Sequence, residues 1–204
     1  MSPIRDKTFL IGEQKMHYNG PETPISIEID EMKYRQTGES FEEKIKRISR
    51  ALMDDVNHKD ALENILGNMR FLPAGRVQSA VGSNRITTAY NCFVSGTIED
   101  SMNGIMEKAS EAAETMRRGG GIGYDFSKIR PRGDKIKSLD SQASGPVSFM
   151  GIFDSICQTI ASSGHRRGAQ MGVLRVDHPD IEEFVTAKRN SDRLTGFNIS
   201  VGIT

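Results

Sequence analysis

The chain has 204 residues, 36% hydrophobic and 26% charged, with 27 Lys and Arg balanced by 27 Asp and Glu. This composition excludes a disordered chain and argues against a direct nucleic-acid partner, which would need a basic surplus. No apolar run approaches the ~18 residues of a membrane span, and the N-terminus lacks the apolar stretch of a signal peptide. Two cysteines cannot form a disulfide framework, so we expect a cytoplasmic protein with reduced thiols and no membrane partner.

The N-terminal segment, residues 1–38, is polar and interrupted by prolines. Within it, isoleucines alternate briefly with polar residues, at Ile25, Ile27 and Ile29. Alternation of this kind is typical of a strand with one buried face. We therefore expect an edge strand or an extended arm in this segment.

A pair of helices is predicted next. Ser40 and Glu43 have the spacing of a capping box, in which each side chain binds the other residue's backbone N–H at a helix start. Asp60 and Glu63 repeat this spacing, and apolar residues recur at helical intervals after each pair. We therefore expect a helical domain over residues 39–85.

From residue 86 to residue 204 the pattern changes to strands that alternate with helices. The predicted strands lie at 89–94, 122–126, 172–176 and 197–201, and the predicted helices begin near Met102, Pro146 and Pro179. Repetition of strand, helix and strand is the pattern of parallel βαβ units. We expect an α/β domain, and because the sequence ends just after a strand we expect this domain to be truncated at the C-terminus.

The two cysteines occupy different positions in this pattern. Cys157 falls on the apolar face of a predicted helix, where a thiol is typically part of the core. Cys92 follows Asn91 in a predicted strand or at its end. Such a cysteine is either a small buried residue or, if it is exposed and activated as a thiolate, a redox or nucleophilic group. The local sequence leaves both interpretations of Cys92 open.

Three loops are further candidates. The glycine-rich segment 119–123 follows a helix and precedes a strand, the reverse of the order in phosphate-binding loops, which favours a structural role as a helix end. The segment 128–133 contains three cations and either binds a phosphate or forms a solvated surface loop. The segment 162–170 combines arginines with hydroxyl and amide donors that can recognise a charge and a base edge. His165 within it has no partner at metal-ligand spacing, so we expect no metal site.

A series of short motifs runs in order, nearly without gaps, through residues 70–203. They are YNCFV (90–94), EDSM (99–102), RGGGIGYDF (118–126), IRPRG (129–133), ASGPVSFM (143–150), HRRGA (165–169), DHPDI (177–181) and FNISV (197–201). Together they resemble the large, catalytic subunit of ribonucleotide reductase, most closely the adenosylcobalamin-dependent class II enzymes. Because many independent motifs agree, the resemblance is specific.

The resemblance implies a ten-stranded α/β barrel of two parallel halves, preceded in the sequence by a helical domain. This chain would contain the helical domain and most of the first half-barrel. It implies reduction of ribonucleotides to 2′-deoxyribonucleotides, started by a thiyl radical and completed as two further cysteines become a disulfide. Cys92 matches the first of this reducing pair, which a thioredoxin-type reductant would regenerate by thiol exchange. Ala89, Asn91 and Arg167 match positions that contact the ribonucleotide substrate.

The resemblance also implies a site for an allosteric deoxynucleotide effector. The matching residues are Asp100, Ser101, Arg130, Arg132, Ser163, Gly164, His165, Arg166 and Gly168. Arginines would bind phosphate there through charge-assisted contacts, and 163–170 would be the flexible loop that links effector to substrate choice. Adenosylcobalamin is the implied cofactor, with a site completed outside this chain. The implied macromolecular partner is the remaining portion of the enzyme or a second subunit.

The sequence departs from the family pattern because the radical cysteine, the second reducing cysteine and the active-site Asn and Glu lie further along in the family. We therefore expect this chain to be inactive alone. Two alternatives remain open. One is a portion of a class I large subunit, whose radical comes from a separate subunit. The other is a catalytically dead nucleotide-binding module that has kept the effector site.

Overall fold

A computed structural model of the chain describes residues 18–136, 138–160, 169–189 and 193–203. Its helices are α1 (Pro24–Ile29), α2 (Phe41–Leu52), α3 (Val56–Gly67), α4 (Gly75–Ala80), α5 (Met102–Arg117), α6 (Pro146–Thr159) and α7 (Ile181–Thr186). Its strands are β1 (Cys92–Val94), β2 (Gly121–Asp125), β3 (Lys135–Ile136), β4 (Ser141–Gln142), β5 (Gln170–Arg175) and β6 (Phe197–Gly202). Among the described residues, no helix is long and apolar enough to span a membrane. The chain divides into two compact units, Met1–Ser83 and Asn84–Thr204.

Capping side chains set the starts of the two main helices of the first unit. At α2 the predicted box is present: the Glu43 N–H donates to Ser40 Oγ at 3.2 Å, and the Ser40 N–H donates to Glu43 Oε2 at 2.8 Å. The second predicted box is wrong, because Asp55 accepts from the His58 N–H at 2.8 Å and α3 has already begun before Asp60. The buried apolar side chains between the helices are Ile45, Ile48 and Leu66.

Residues 24–34 are helical, so the prediction of an edge strand or extended arm is wrong for these residues. Thr23 and Ser26 form a capping box at the start of α1, and a π-helical segment, Asp30–Tyr34, follows it. Pro24 occupies the first helical position, where its fixed φ suits a helix. Local capping therefore outweighs the apolar alternation, and the three isoleucines of α1 remain exposed.

Buried and half-buried ion pairs connect the π-helical segment and the residues that follow it to α2. Lys44 is 1% exposed and donates to Asp30, which also accepts from Arg35 Nε at 2.6 Å. Burial lowers the pKa of Lys44, while the hydrogen bond and charge of Asp30 oppose this shift. Arg47 binds Glu39 with two parallel contacts, Nε to Oε1 at 2.7 Å and Nη2 to Oε2 at 3.0 Å.

The second unit is built on a four-stranded sheet in the order β1–β2–β5–β6, with every neighbouring pair parallel. α5 connects β1 with β2, α6 lies between β2 and β5, and α7 connects β5 with β6. This confirms the predicted α/β class with parallel βαβ units. β1 is shorter than predicted, since only Cys92–Val94 joins the ladder. The antiparallel pair β3 and β4 was not predicted, because two-residue strands are too short to show alternation.

One face of this sheet is buried against helices, and aromatic side chains fill the space. The Tyr124 ring centroid lies 4.8 Å from that of Phe153 in α6 and 6.3 Å from that of Phe197 in β6. The Tyr124 hydroxyl donates to Gln170 Oε1 at 2.9 Å, and Gln170 Nε2 donates to the Phe153 carbonyl at 3.0 Å. Burial raises the pKa of Tyr124, so the phenol is a neutral hydrogen-bond donor in the core.

Candidate functional site

Cys92 is the first residue of β1, and its thiol is free and exposed. In the parallel pairing of β1 with β2, Cys92 lies opposite Gly121 and Val94 lies opposite Gly123. Side chains alternate along a strand, so these four positions lie on the face opposite to buried Ile122. We call this the open face, defined by Cys92, Val94, Gly121, Gly123, Met171 and Asn198. The predicted catalytic thiol therefore lies outside the hydrophobic core.

Two glycines leave the β2 part of the open face without side chains. A Cβ on Gly121 would lie 3.2 Å from the carbonyl oxygen of Ala169. In the next row, Gly123 pairs with Met171 and Met171 pairs with Asn198, and both of these partners are exposed. A ligand on this face would contact the bare backbone of β2 beside the Cys92 thiol, with the Met171 side chain and the Asn198 amide on the two strands beyond.

Met171 and Asn198 were not among the residues that the sequence singled out. Each lies on the solvent-facing phase of an alternating strand, a signal that the sequence does contain. Alternation alone, however, does not say which strands are neighbours. Only the order β1–β2–β5–β6 shows that these residues share a face with Cys92.

Contacts on both sides of β1 hold the thiol-bearing strand in place. The Asn91 carbonyl accepts from the Gly121 N–H at 2.8 Å. On the face opposite to the thiol, Phe93 packs over Gly120, where a Cβ would lie 2.7 Å from Phe93 Cε2. The ring of Tyr90 meets that of Phe93 edge-on, with centroids 6.2 Å apart.

The glycine run that precedes β2 terminates α5. The Gly119 N–H donates to the Met116 carbonyl at 2.8 Å and the Gly120 N–H donates to the Thr115 carbonyl at 3.0 Å. Gly119 has φ +85°, so the pattern is a Schellman motif with its left-handed residue at glycine. The predicted structural role of this run, a helix end with tight packing, is confirmed.

Cys157 is buried in α6, as predicted. Burial raises the pKa of its thiol, and the charge of Asp154 adds to the shift. Because the thiolate is the reactive form, this cysteine is a poor nucleophile. Among the described residues there is no cluster of three or more His, Cys, Asp or Glu side chains able to hold a metal ion.

A second group of predicted residues lies after the ends of β1 and β2. Arg130 Nε donates to Asp100 Oδ2 at 2.7 Å, and both side chains are partly exposed. Ser101 caps α5, its Oγ accepting from the Gly104 N–H at 3.1 Å. The structure thus brings together the predicted effector residues Asp100, Ser101 and Arg130.

Arg132 extends this group towards the turn after β5. Its backbone N–H donates to Asp180 Oδ2 at 2.8 Å, and its Nη1 lies 3.2 Å from Glu183 Oε1. The Arg132 side chain is 64% exposed, so most of its surface is accessible to a ligand. Within the described residues, each of the two predicted arginines is therefore oriented by carboxylates.

The described site residues fall at two edges of the sheet. Cys92 lies at the amino end of β1, with exposed Asn91 and half-buried Ala89 just before it. Asp100 and Arg130 follow the carboxyl ends of two parallel strands, which meet at the opposite edge. The remaining predicted residues lie outside the described residues; they are Ser163, Gly164, His165, Arg166, Arg167 and Gly168.

Comparisons with known proteins identify the family of the second unit. The family described as "Ribonucleotide reductase, barrel domain" matches residues 90–204. The alpha subunit of the Actinobacillus ureae class Id ribonucleotide reductase has a similar fold, with TM-score 0.75 and 24% identity over 89% of this chain and 33% of that chain.

Curated relatives match at higher identity. The vitamin B12-dependent ribonucleoside-diphosphate reductase of Mycobacterium tuberculosis (strain CDC 1551 / Oshkosh) is 47% identical over 141 residues, covering 69% of this chain and 20% of the relative. The enzyme of the same name from Thermoplasma acidophilum is 40% identical over 143 residues, covering 70% of this chain and 18% of the relative. The chain spans about a fifth of the length of these relatives. The chain belongs to the ribonucleotide reductase family, with residues 90–204 in its barrel domain.

Proposed function

We propose that this chain is the portion of a ribonucleotide reductase that carries the first cysteine of the reducing pair. The observation that carries the proposal is the exposed Cys92 thiol at the start of β1, beside the bare backbone of Gly121. The reaction balances with a second cysteine from the remaining portion of the enzyme. The ribose C2′–OH bond breaks, two thiols supply two electrons and two protons, and deoxyribonucleotide, water and a disulfide form. A thioredoxin-type protein reduces that disulfide by exchange.

The ribonucleotide would lie on the open face. Its ribose needs a surface that approaches Cys92 closely without side chains in between, and the two glycines of β2 provide one. Asn91 and Ala89 lie immediately before the thiol, and the exposed amide of Asn198 supplies a donor and an acceptor on the far side. We assign a contact with the substrate to Arg167 on the family resemblance alone.

A deoxynucleotide effector would bind at the carboxyl edge of the sheet. Arg130 uses Nε for Asp100, and a guanidinium has four more N–H donors with which to bind a phosphate. The Asp100 carboxylate accepts hydrogen bonds, and the sugar hydroxyl of a deoxynucleotide can donate one. Arg130 and Asp100 could therefore bind the phosphate and the sugar hydroxyl of the same deoxynucleotide.

Adenosylcobalamin is the radical source that we propose for the complete enzyme, because the curated relatives are named as vitamin B12-dependent. When bound, the group would supply the radical chemistry that starts the reaction at a cysteine. The residues that complete its site would lie outside this chain. A cytoplasmic location suits this chemistry, because thiols remain reduced there.

The decisive experiment is Cys92→Ser in the enzyme reconstituted from this chain and the remaining portion of the reductase. Serine keeps the size and polarity of the side chain but cannot form a disulfide, so we expect nucleotide binding to persist and multiple turnover to be lost. The control is Cys157→Ser, which places a hydroxyl in the core and is expected to cost about 1–3 kcal/mol of stability without abolishing turnover. Normal dithiol-driven turnover by the Cys92→Ser enzyme would disprove the assignment.

A further inference from the structure

The turn after β5 makes a chain of hydrogen bonds to the loop that carries Arg130 and Arg132. His178 is buried, and its Nε2 lies 2.8 Å from the carbonyl oxygen of Ile129. The Asp180 N–H donates to His178 Nδ1 at 3.0 Å. The Asp180 carboxylate then accepts from the Arg132 N–H at 2.8 Å. Two side chains of one turn thus bind the backbone on both sides of Arg130.

These contacts fix the role of each nitrogen of the His178 ring. A carbonyl oxygen only accepts, so Nε2 carries the hydrogen that binds Ile129. Nδ1 faces a backbone N–H and therefore accepts. The neutral ring with its hydrogen on Nε2 satisfies both contacts at once, which makes His178 a spacer of fixed length between the Asp180 backbone and the arginine loop.

The packing around Asp180 leaves little room for the loop to shift. Gly145 has φ +78°, and a Cβ there would lie 2.6 Å from Asp180 Oδ2 and 2.9 Å from Arg132 Cβ. Any larger residue at position 145 would collide with both partners of the Asp180–Arg132 hydrogen bond. The Arg130 N–H also lies 3.3 Å from Asp100 Oδ1, so the loop backbone is held at three points.

We propose that His178 and Asp180 are positioning residues for the nucleotide effector, acting through the backbone of Arg130 and Arg132. The inference rests on the proposed effector site and names residues that do not themselves touch the ligand. The arginine side chains are partly exposed, so their aim depends on the backbone beneath them. A loop fixed before binding does not lose conformational freedom when the phosphate arrives, and this raises affinity.

The test uses the full 204-residue chain and equilibrium binding of the four deoxynucleoside triphosphates in turn, with inorganic triphosphate as a further probe. Asp180→Ala removes the acceptor for the Arg132 N–H, whereas Asp180→Asn keeps an acceptor oxygen. His178→Leu removes both ring contacts, whereas His178→Gln keeps a donor that reaches Ile129. The control is Asp177→Ala, because exposed Asp177 pairs with Arg175 in the same turn. Circular dichroism confirms that each variant is folded at the temperature of measurement.

We expect both Asp180→Ala and His178→Leu to weaken binding by about tenfold or more, because the first removes one charge-assisted hydrogen bond and the second removes two neutral ones. Asp180→Asn and His178→Gln should recover most of the affinity, and Asp177→Ala should bind like the unaltered chain. A merely structural role would lower the melting temperature and leave the affinity of the folded protein unchanged. If the unaltered chain binds and Asp180→Ala binds equally well, the positioning role is disproved while the proposed effector site remains supported. If the unaltered chain binds none of the probes, the proposed effector site fails and the inference fails with it.

Discussion

Arg130 is bound twice by the same carboxylate. Its Nε donates to Asp100 Oδ2 at 2.7 Å, and its backbone N–H donates to Asp100 Oδ1 at 3.3 Å. The two contacts join the segment after β1 to the segment after β2. The guanidinium therefore keeps one orientation although it lies at a partly exposed edge of the sheet.

This geometry predicts that Arg130→Lys weakens effector binding although the charge is kept. A lysine ammonium is a point donor that cannot bind Asp100 and a phosphate in the planar arrangement of a guanidinium. We expect the affinity for a deoxynucleoside triphosphate to fall about tenfold or more, measured by calorimetry. Arg117→Lys, at an exposed arginine of α5, is the control and should have no effect. If Arg130→Lys and Arg117→Lys bind the effector with equal affinity, Arg130 is not part of the effector site.

The two thiols should react at very different rates. Cys92 is exposed, whereas Cys157 is buried and burial raises its pKa. We expect iodoacetamide to alkylate Cys92 in the folded chain and to spare Cys157 until denaturant is added, as read by peptide mass spectrometry. Because the pKa of Cys157 is raised, its thiolate forms only at a pH above the ordinary range, so its reaction should stay slow in mildly alkaline buffer. Comparable labelling of both cysteines in the native chain would contradict the structure.

Gly120→Ala should displace β1. The added Cβ would lie 2.7 Å from Phe93 Cε2 and 3.0 Å from Thr115 Cγ2, so the ring or the strand must move. We expect a loss of about 1–3 kcal/mol of stability, measured by urea denaturation, together with an altered alkylation rate at Cys92. Gly151→Ala is the matched control, because a Cβ at this position in α6 meets nothing within 4 Å. Alanine favours a helix, so the control should gain up to about 1 kcal/mol.

The first unit should lose stability in acid through Glu39. Burial alone would raise the pKa of Glu39, but the hydrogen bonds from Arg47 and the Gln36 N–H, together with the Arg47 charge, lower it. A carboxyl with a lowered folded-state pKa stabilises the fold above its ordinary pKa, and this contribution is lost as the pH falls through the folded value.

We therefore expect Glu39→Gln to cost about 1–3 kcal/mol at neutral pH and to flatten the stability profile as the pH falls below the ordinary pKa of a glutamate. Hydrogen exchange of the α2 amides reports the change. Glu42→Gln is the control: Glu42 forms an exposed pair with Lys46, worth at most about 0.5 kcal/mol. If the pH profiles of the two variants coincide, Glu39 is not the responsible group.

The chain by itself should not reduce ribonucleotides. The proposed chemistry uses one radical thiol and two reducing thiols, whereas the chain has two cysteines, one of them buried in the core. Incubation with adenosylcobalamin, ribonucleotide and dithiol should therefore give no deoxyribonucleotide above background. Turnover by the purified chain would require a mechanism with fewer thiols.

Much of the fold could be predicted from the sequence, because its elements follow strong local patterns. The sequence pattern that defines each element lies within a few neighbouring residues. This holds for the capping box at Ser40 and for the strands and helices that alternate after residue 86. The error at Ile25 arose where two local signals compete: the alternation favours a strand, but the capping box at Thr23 decides for a helix. Asp60 shows the same limit, since Asp55 caps α3 first.

The site was less predictable, because its contacts join segments far apart in sequence. Cys92 and the arginines were predicted as site residues from motifs, but neither local spacing nor periodicity shows that Asp180 binds the Arg132 backbone. The same holds for Asn198, whose place on the open face follows from strand order. Such contacts are set by the packing of the sheet and its connecting turns, which no short window of sequence contains.

Along β2, core-facing residues alternate with glycines on the face that carries the thiol. A change in the length of this strand is therefore more disruptive than the exchange of one core residue for another. Ile122 and Tyr124 face the core, while Gly121 and Gly123 lie on the face of the thiol. Deleting or inserting one residue before Tyr124 would exchange the two sets. A phenol ring would then fill the hollow beside Cys92, and a glycine would leave a cavity among the aromatic rings. Natural variants of this strand should accordingly accept exchanges of one core residue for another more readily than single-residue insertions or deletions.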